Sequence, residues 1–137
     1  LERAGDEAKK IARTVLGRHG RPGHATARDA RHLARLAVSL LRMALDAFDR
    51  IEASTAAEVI ARDRELDEEY TAGLRRLLTR AMEDPRHFDV TLEAAFVLKS
   101  LERIGDHARN VARHVQSMGQ DAGAIPPASE AAQITHT

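Results

Sequence analysis

From residue 1 to Met118, apolar residues recur at alternating steps of three and four, the signature of amphipathic helices, and they fall into four runs. The first run, Leu1 to Leu16, puts Ala4, Ala8, Ile11 and Val15 on one face and stops at the Gly/Pro-rich stretch Gly17-Arg-His-Gly-Arg-Pro-Gly23, a linker. A second helix starts near Thr26, a candidate cap, and carries Leu33, Ala37, Leu40, Ala44, Ala47 and Ile51. Ser54 or Thr55 caps a third, whose stripe passes through Val59, Leu66, Tyr70, Leu74, Leu77 and Ala81 before Asp84-Pro85 ends it. The fourth carries Val90, Ala94, Val97, Leu101, Ile104, Ala108, Val111, Val115 and Met118. No segment reads as a strand. Short turns between long helices favour antiparallel neighbours, so the expected fold is all-α: an antiparallel three-helix bundle from the last three helices, with the first packed alongside. From Gly119 the period is lost among Gly, Pro, Ser, Ala and Gln, and residues 119–137 read as a disordered tail.

The polar positions add an internal repeat. Leu1-Glu-Arg-Ala-Gly-Asp-Glu-Ala-Lys-Lys-Ile-Ala-Arg-Thr-Val-Leu16 returns as Leu101-Glu-Arg-Ile-Gly-Asp-His-Ala-Arg-Asn-Val-Ala-Arg-His-Val-Gln116, with nine of sixteen positions identical. A period of one hundred residues implies a unit of several helices. The second copy closes a run of three helices, whereas the first stands at residue 1. The expected organisation is therefore the last helix of a truncated first unit (1–17), a linker (18–25), one complete three-helix unit (26–118) and the tail (119–137).

Core periodicity accounts for the shared Leu, Ala and Val, but not for Glu, Gly and Asp at outer positions. Glu102 and Asp106 stand one turn apart, and Asn110 continues the column, so three oxygen-bearing side chains share a face expected to point outward. Carboxylates at that spacing repel unless a cation neutralises them, and oxygen ligands suit hard or borderline metals. The first helix repeats the pair as Glu2 and Asp6, with Lys10 in third place. Salt bridges to Arg3, Arg103, Arg109 or Arg113 are the alternative. Gly5 and Gly105 each cost about 1 kcal/mol inside a helix, which a close approach of another backbone would justify. Asp63 falls within an apolar stripe, and a buried charge needs a partner, either an Arg of an adjacent helix or a metal shared with Asp67.

Twenty-one basic and twenty-one acidic residues cancel, so no global field points to nucleic acid or an anionic surface. Cysteine is absent, no apolar run has membrane-span length and no signal peptide is visible. A soluble cytoplasmic chain is the simplest expectation. The seven histidines lack zinc-site spacing, and no phosphate loop or catalytic triad order stands out. A di-iron bundle enzyme would carry Glu-x-x-His, which this chain lacks. No enzymatic activity is expected.

The motif at Leu101, its copy at Leu1, and Arg62-Asp-Arg-Glu-Leu-Asp-Glu-Glu-Tyr70 followed by Met82-Glu-Asp84 resemble the PhoU family of phosphate-signalling regulators, over about residues 1 to 118. The resemblance implies two three-helix bundles in the whole protein, with Leu1 opening the last helix of the first. It implies metal clusters, of Fe, Mn, Mg or Zn, bound on the bundle surface by paired acidic motifs: Asp63 with Asp67, Glu102 with Asp106, and Glu2 with Asp6, whose partner helix is missing. It also implies a negative regulator that links a phosphate-specific ABC transporter ATPase to a sensor histidine kinase. Such an adaptor would be cytoplasmic, peripheral to the inner face of the membrane through its partners. The first helix, short of bundle mates for Ile11 and Val15, implies self-association, with a homodimer as the expected form.

Overall fold

The computed structural model describes residues 1–16 and 24–123. Four α-helices follow in order: α1 (Glu2–Leu16), α2 (His24–Arg50), α3 (Ala53–Glu83) and α4 (Phe88–Gly123), with a 3-10 turn at Pro85–His87 before α4. No strand occurs among the described residues. The three long helices pack on one another and α1 packs on α4 alone. Cross-contacts give the directions: Asp29 of α2 meets Arg76 of α3 and Asp63 of α3 meets Arg109 of α4, while Leu1 lies by His114 and Val15 by Val90, each an antiparallel pairing. The expected architecture is the observed one.

The core follows the helical stripes. Leu33, Leu40, Val59, Leu66, Leu77, Leu98 and Val115 are buried, and each contributes about 1.5–3 kcal/mol by leaving water. Between them, Ala37, Ala44, Ala47, Ala56, Ala108 and Ala112 are also buried, and their small side chains let three long axes run close together. At one end, Arg76 holds Asp29 through two bonds of 2.9 and 3.1 Å, and Arg80 Nη1 donates to Thr26 Oγ1 at 2.6 Å. These contacts fix the register of α2 against α3 at a partly exposed place, where each contributes modestly.

Several local expectations are corrected. Thr26 is not a cap, because α2 begins at His24 and the threonine is buried in its first turn as the acceptor for Arg80. Neither Ser54 nor Thr55 caps α3: the helix begins at Ala53 with Glu52 in the cap position, and Ser54 Oγ instead donates to Glu52 Oε1 at 3.2 Å. Ile51 does not extend the buried stripe. It is 56% exposed with φ of 51°, and it ends α2 by letting Glu52 N donate to Ala47 O at 2.9 Å and Ile51 N to Phe48 O at 3.4 Å. That bonding pattern normally takes Gly at this residue, so a β-branched side chain here is strained. The expected stop at Asp84-Pro85 is met: α3 ends at Glu83, and the Asp84 carboxylate accepts from Arg86 N at 3.3 Å. The fourth helix runs on to Gly123, so residues 119–123 of the expected tail are helical. The rest of that tail and nearly all of the expected linker lie outside the described residues.

The face that α1 turns to α4 is also rotated from expectation. Ala4 and Glu7 are buried and Ile11 and Thr14 half-buried, whereas Ala8 and Val15 are exposed. A helix touching a single neighbour has only one narrow stripe covered. Of the six residues that the repeated stretch of α4 buries, Leu101, Gly105, Ala108, Ala112 and Val115 correspond to Leu1, Gly5, Ala8, Ala12 and Val15, all exposed, while Ile104 corresponds to Ala4, which is buried.

The two repeated glycines accordingly differ. A Cβ at Gly105 would collide with Leu66 Cδ2 and lie 3.3 Å from Asp63 Oδ1, while nothing stands within 4 Å of one at Gly5. Leu66 is fully buried and cannot step aside. Close approach explains Gly105, made by a side chain and not by backbone. Gly105→Ala is expected to lower the unfolding free energy by about 1–3 kcal/mol through overpacking. Gly5→Ala should raise it by about 0.5–1 kcal/mol by restricting the unfolded chain. Urea denaturation of the two variants checks this, and equal shifts would refute the difference between the two sites.

Candidate metal site

The absent Cβ at Gly105 lets α3 lie close over α4, and the helix face that results carries acid. Asp63, 2% exposed, sits one turn before Leu66 on the buried stripe of α3. Asp67 follows one turn later at the rim, and Asp106, next to Gly105, comes from α4. Carboxylate oxygens of Asp63, Asp67 and Asp106 all lie within 4.8 Å of one another. Among the described residues they are the one group of three or more acidic or histidine ligands this close.

Two cations border the three acids. Arg109 Nη1 donates to Asp63 Oδ2 at 2.7 Å and lies 3.4 Å from Asp106 Oδ1. Lys99 Nζ donates to Glu102 Oε2 at 2.8 Å and stands 5.5 Å from the centre of the Tyr70 ring, within cation–π range. These do not balance four carboxylates. Asp63 Oδ1 is buried without a hydrogen-bond partner, as is Arg109 Nε.

The electrostatics agree. Burial holds the Asp63 carboxyl above the usual aspartate range; the Arg109 charge pulls it down, and Asp106 and Glu102 push it further up. Asp67 is raised by burial and then by the charges of Asp63 and Glu102. Asp106 is raised by burial, then by Glu102, with Arg109 opposing. Three carboxyls biased towards the protonated form have too little positive charge near them, and a cation would remedy that. A hard cation takes oxygen ligands at about 2.0–2.6 Å, so one ion placed between these carboxylates would reach all three after small side-chain adjustments.

The sequence-derived ligand candidates therefore divide. Asp63, Asp67 and Asp106 come together, with Glu102 beside them in its pair with Lys99. The Glu102/Asp106 column does not point outward as expected: both are half-buried, because Gly105 widens the covered arc of α4. Asn110, in contrast, is exposed and lines the open groove between α1 and α4, shared with Asp6, Glu7 and Lys10. Glu2 and Asp6 are exposed on α1 and outside the trio: Asp6 lines the same groove as Asp106, and Glu2 lies in a shallow hollow bordered by Phe48, His107 and His114. Of the two partners weighed for Asp63, the arginine of the next helix is in place at 2.7 Å, and Asp67, with which a metal would be shared, lies within reach.

Glu7 escaped the sequence reading. It is 6% exposed, with Oε1 3.2 Å from Lys10 Nζ and 3.7 Å from Arg103 Nη1. Burial pushes its carboxyl up, but hydrogen bonds from Lys10 and Ser100 and the charges of Lys10 and Arg103 outweigh this, leaving it lowered. In the repeat its counterpart is His107, so no shared motif marked it. Lys99 also went unnoticed, although its spacing of three from Glu102 is that of a helical ion pair.

A family model described as the PhoU domain matches residues 30–115. The chain belongs to the PhoU family. It is similar to the phosphate-specific transport system accessory protein PhoU homolog of Pseudomonas putida, at 44% identity over 117 residues, which cover 84% of this chain and 45% of that protein. The homolog from Caulobacter vibrioides is 40% identical over 124 residues, covering 88% of this chain and 54% of its own. The accessory protein PhoU of Escherichia coli is 36% identical over 115 residues, covering 84% and 48%. This PhoU-family chain thus spans about half the length of the relatives it matches. The crystal structure of PhoU from Pseudomonas aeruginosa superposes with a TM-score of 0.79 at 40% identity, over 88% of this chain and 58% of that one.

The raised carboxyls have a measurable consequence. A carboxyl whose folded pKa exceeds its unfolded value adds stability only at low pH, and this is lost as pH rises through the folded value. At neutral pH the ionised Asp67 therefore burdens the metal-free fold. Asp67→Asn is expected to raise the melting temperature in chelator at neutral pH, with the gain shrinking on acidification into the ordinary aspartate range. A gain independent of pH would contradict the electrostatic origin.

Proposed function

We propose that this chain acts as the metal-binding helical module of a phosphate-transport accessory protein. In this reading it is a non-catalytic negative regulator of phosphate uptake and phosphate-starvation signalling. It links the ATPase of a phosphate-specific ABC transporter to a sensor histidine kinase. The printed names of the relatives support the transport role, and the sequence resemblance supports the kinase link and the negative sign. No described helix is long and apolar enough to cross a membrane, so contact with a transporter would be made by helical faces. The observation that carries the metal reading is the trio Asp63, Asp67 and Asp106, biased towards protonation with one buried oxygen unpartnered.

The Arg109–Asp63 bond favours a second reading, an interaction module whose acids serve only in ion pairs. Metal content separates the two. After incubation with Fe, Mn, Mg or Zn and removal of free ion, mass spectrometry should find stoichiometric metal in the wild-type chain, lost in Asp63→Asn/Asp106→Asn. Absence of metal from wild type would favour the ion-pair reading.

The domain organisation belongs to the same proposal. Exposure on α1 of five of the six residues whose repeat counterparts are buried on α4, Ala4 being the exception, supports reading α1 as the closing helix of another bundle. Such a face is apolar and small-residue-lined, and in this chain it would pair with a second copy. Light scattering should then give a dimer at high concentration, shifted to monomer by Ala8→Glu/Ala12→Glu with helicity unchanged. A wild-type monomer across the accessible concentration range would refute this.

A further inference from the structure

Arg109 is placed where a metal would have to act. Its Nη1 holds the buried Asp63 Oδ2 at 2.7 Å and reaches Asp106 Oδ1 at 3.4 Å, so one guanidinium bridges two of the three carboxylates of the trio. The two groups differ in freedom. Asp63 is 2% exposed and packs against Gly105, whereas the Arg109 side chain is 27% exposed at the end of a long aliphatic stem. Its fit is incomplete, because Arg109 Nε is buried without a partner and Asp63 Oδ1 is left unpaired. On its other side Arg109 lines the α1/α4 groove, whose wall mixes acids, Asp6 and Glu7, with the cations Arg3, Lys10 and Arg103.

We propose that Arg109 is a tethered internal counter-ion that occupies the carboxylate site in the metal-free chain and is displaced when a divalent cation binds. This rests on the metal reading of the same site. A divalent ion held between the three carboxylates would stand within a few ångström of a guanidinium that lies 2.7 Å from Asp63 Oδ2 and 3.4 Å from Asp106 Oδ1, and their repulsion is strong at the effective dielectric of a partly buried site. Asp63 is fixed by packing, so the guanidinium moves. It swings towards the groove and the exposed carboxylate of Asp6, since Glu7 is already held by Lys10 and Arg103. Two consequences follow. The site admits an ion only when attraction to three carboxylates exceeds that of the resident guanidinium, which selects divalent over monovalent cations. Metal occupancy is also conveyed to α1, because the displaced charge arrives beside residues of that helix.

The test is Mn2+ affinity by titration calorimetry on the chelator-stripped full chain, wild type against Arg109→Gln. Removing the competitor should tighten binding by about tenfold or more. The variant should also melt lower than wild type in chelator and gain more from Mn2+. Equal affinity, with both chains binding, overturns the displacement and leaves the metal reading standing; weaker binding by the variant overturns it too, making Arg109 a support of the site. Binding by neither chain overturns the metal reading and this inference with it. Should Arg109→Gln fail to fold without metal, 15N NMR of the wild-type chain decides the matter. Stoichiometric Mg2+ should shift the Arg109 Nε–H resonance and speed its solvent exchange, and an unchanged resonance with Mg2+ bound overturns the proposal.

Discussion

The close packing of α3 on α4 at Gly105 is the constraint on which the rest of the structure depends. Leu66 fills the space that a Cβ would take, and this seats the side chains of α3 directly on α4 one turn from Asp63. A carboxylate is then held in a nearly dry position by packing that would be costly to undo. Everything notable about the site follows: the raised carboxyl of Asp63, the neighbouring Asp67 and Asp106 brought within reach, and the arginine reaching across from α4. Burying an ion pair is expensive, and breaking one by deleting a partner is more so. The arrangement is therefore better understood as a site whose charge must be managed than as a device for stability.

Alanine-lined seams make that closeness possible along the whole bundle. Large apolar residues alternate with fully buried Ala37, Ala44, Ala47, Ala56, Ala108 and Ala112, so three long helices stay near one another without a bulky aromatic core. A bundle of this kind leaves few deep cavities and much rigid surface, which suits a protein that presents faces to partners. The outer surface of α1 is one such face, and the carboxylate flank of α3 and α4 is another. Arg109, Asp106 and the groove residues of α1 lie between them, so the charge state of one flank is physically adjacent to the packing of the other.

Much of this was legible in the chain. The steps of three and four located four helices, short turns implied antiparallel neighbours, and Asp84-Pro85 marked an end that the structure keeps. The repeated Glu, Gly and Asp singled out Gly105 and Asp106, and Asp63 stood out as an acid within an apolar stripe. What misled was local. Thr26, Ser54 and Thr55 have the chemistry of caps but stand inside their helices, because the chain enters α2 and α3 earlier than hydroxyl residues suggest. Ile51 continues an apolar period that the backbone breaks, since the turn into α3 needs a left-handed residue there. Gly5 copies Gly105 in sequence without copying its surroundings.

The amino-acid sequence by itself determined the helices, their order, their buried stripes and the acids that matter, because these depend on the periodicity of residue types along one axis. Only the tertiary structure decided which acids meet. Along α4 alone, Glu102 is equivalent to Asp106 and Asn110 continues their column, yet α3 covers α4 over a limited arc, and the angle and depth of that contact select Asp106, bring Asp67 to it and leave Asn110 facing α1. Repeat identity made Glu2 and Asp6 look like a second copy of the site, whereas their helix touches α4 alone, where Asp6 shares a groove with Asp106 without joining the trio. A carboxylate becomes part of a site through the charge and packing supplied by other helices, and those distances are set by packing between axes, which no pattern along a single axis contains.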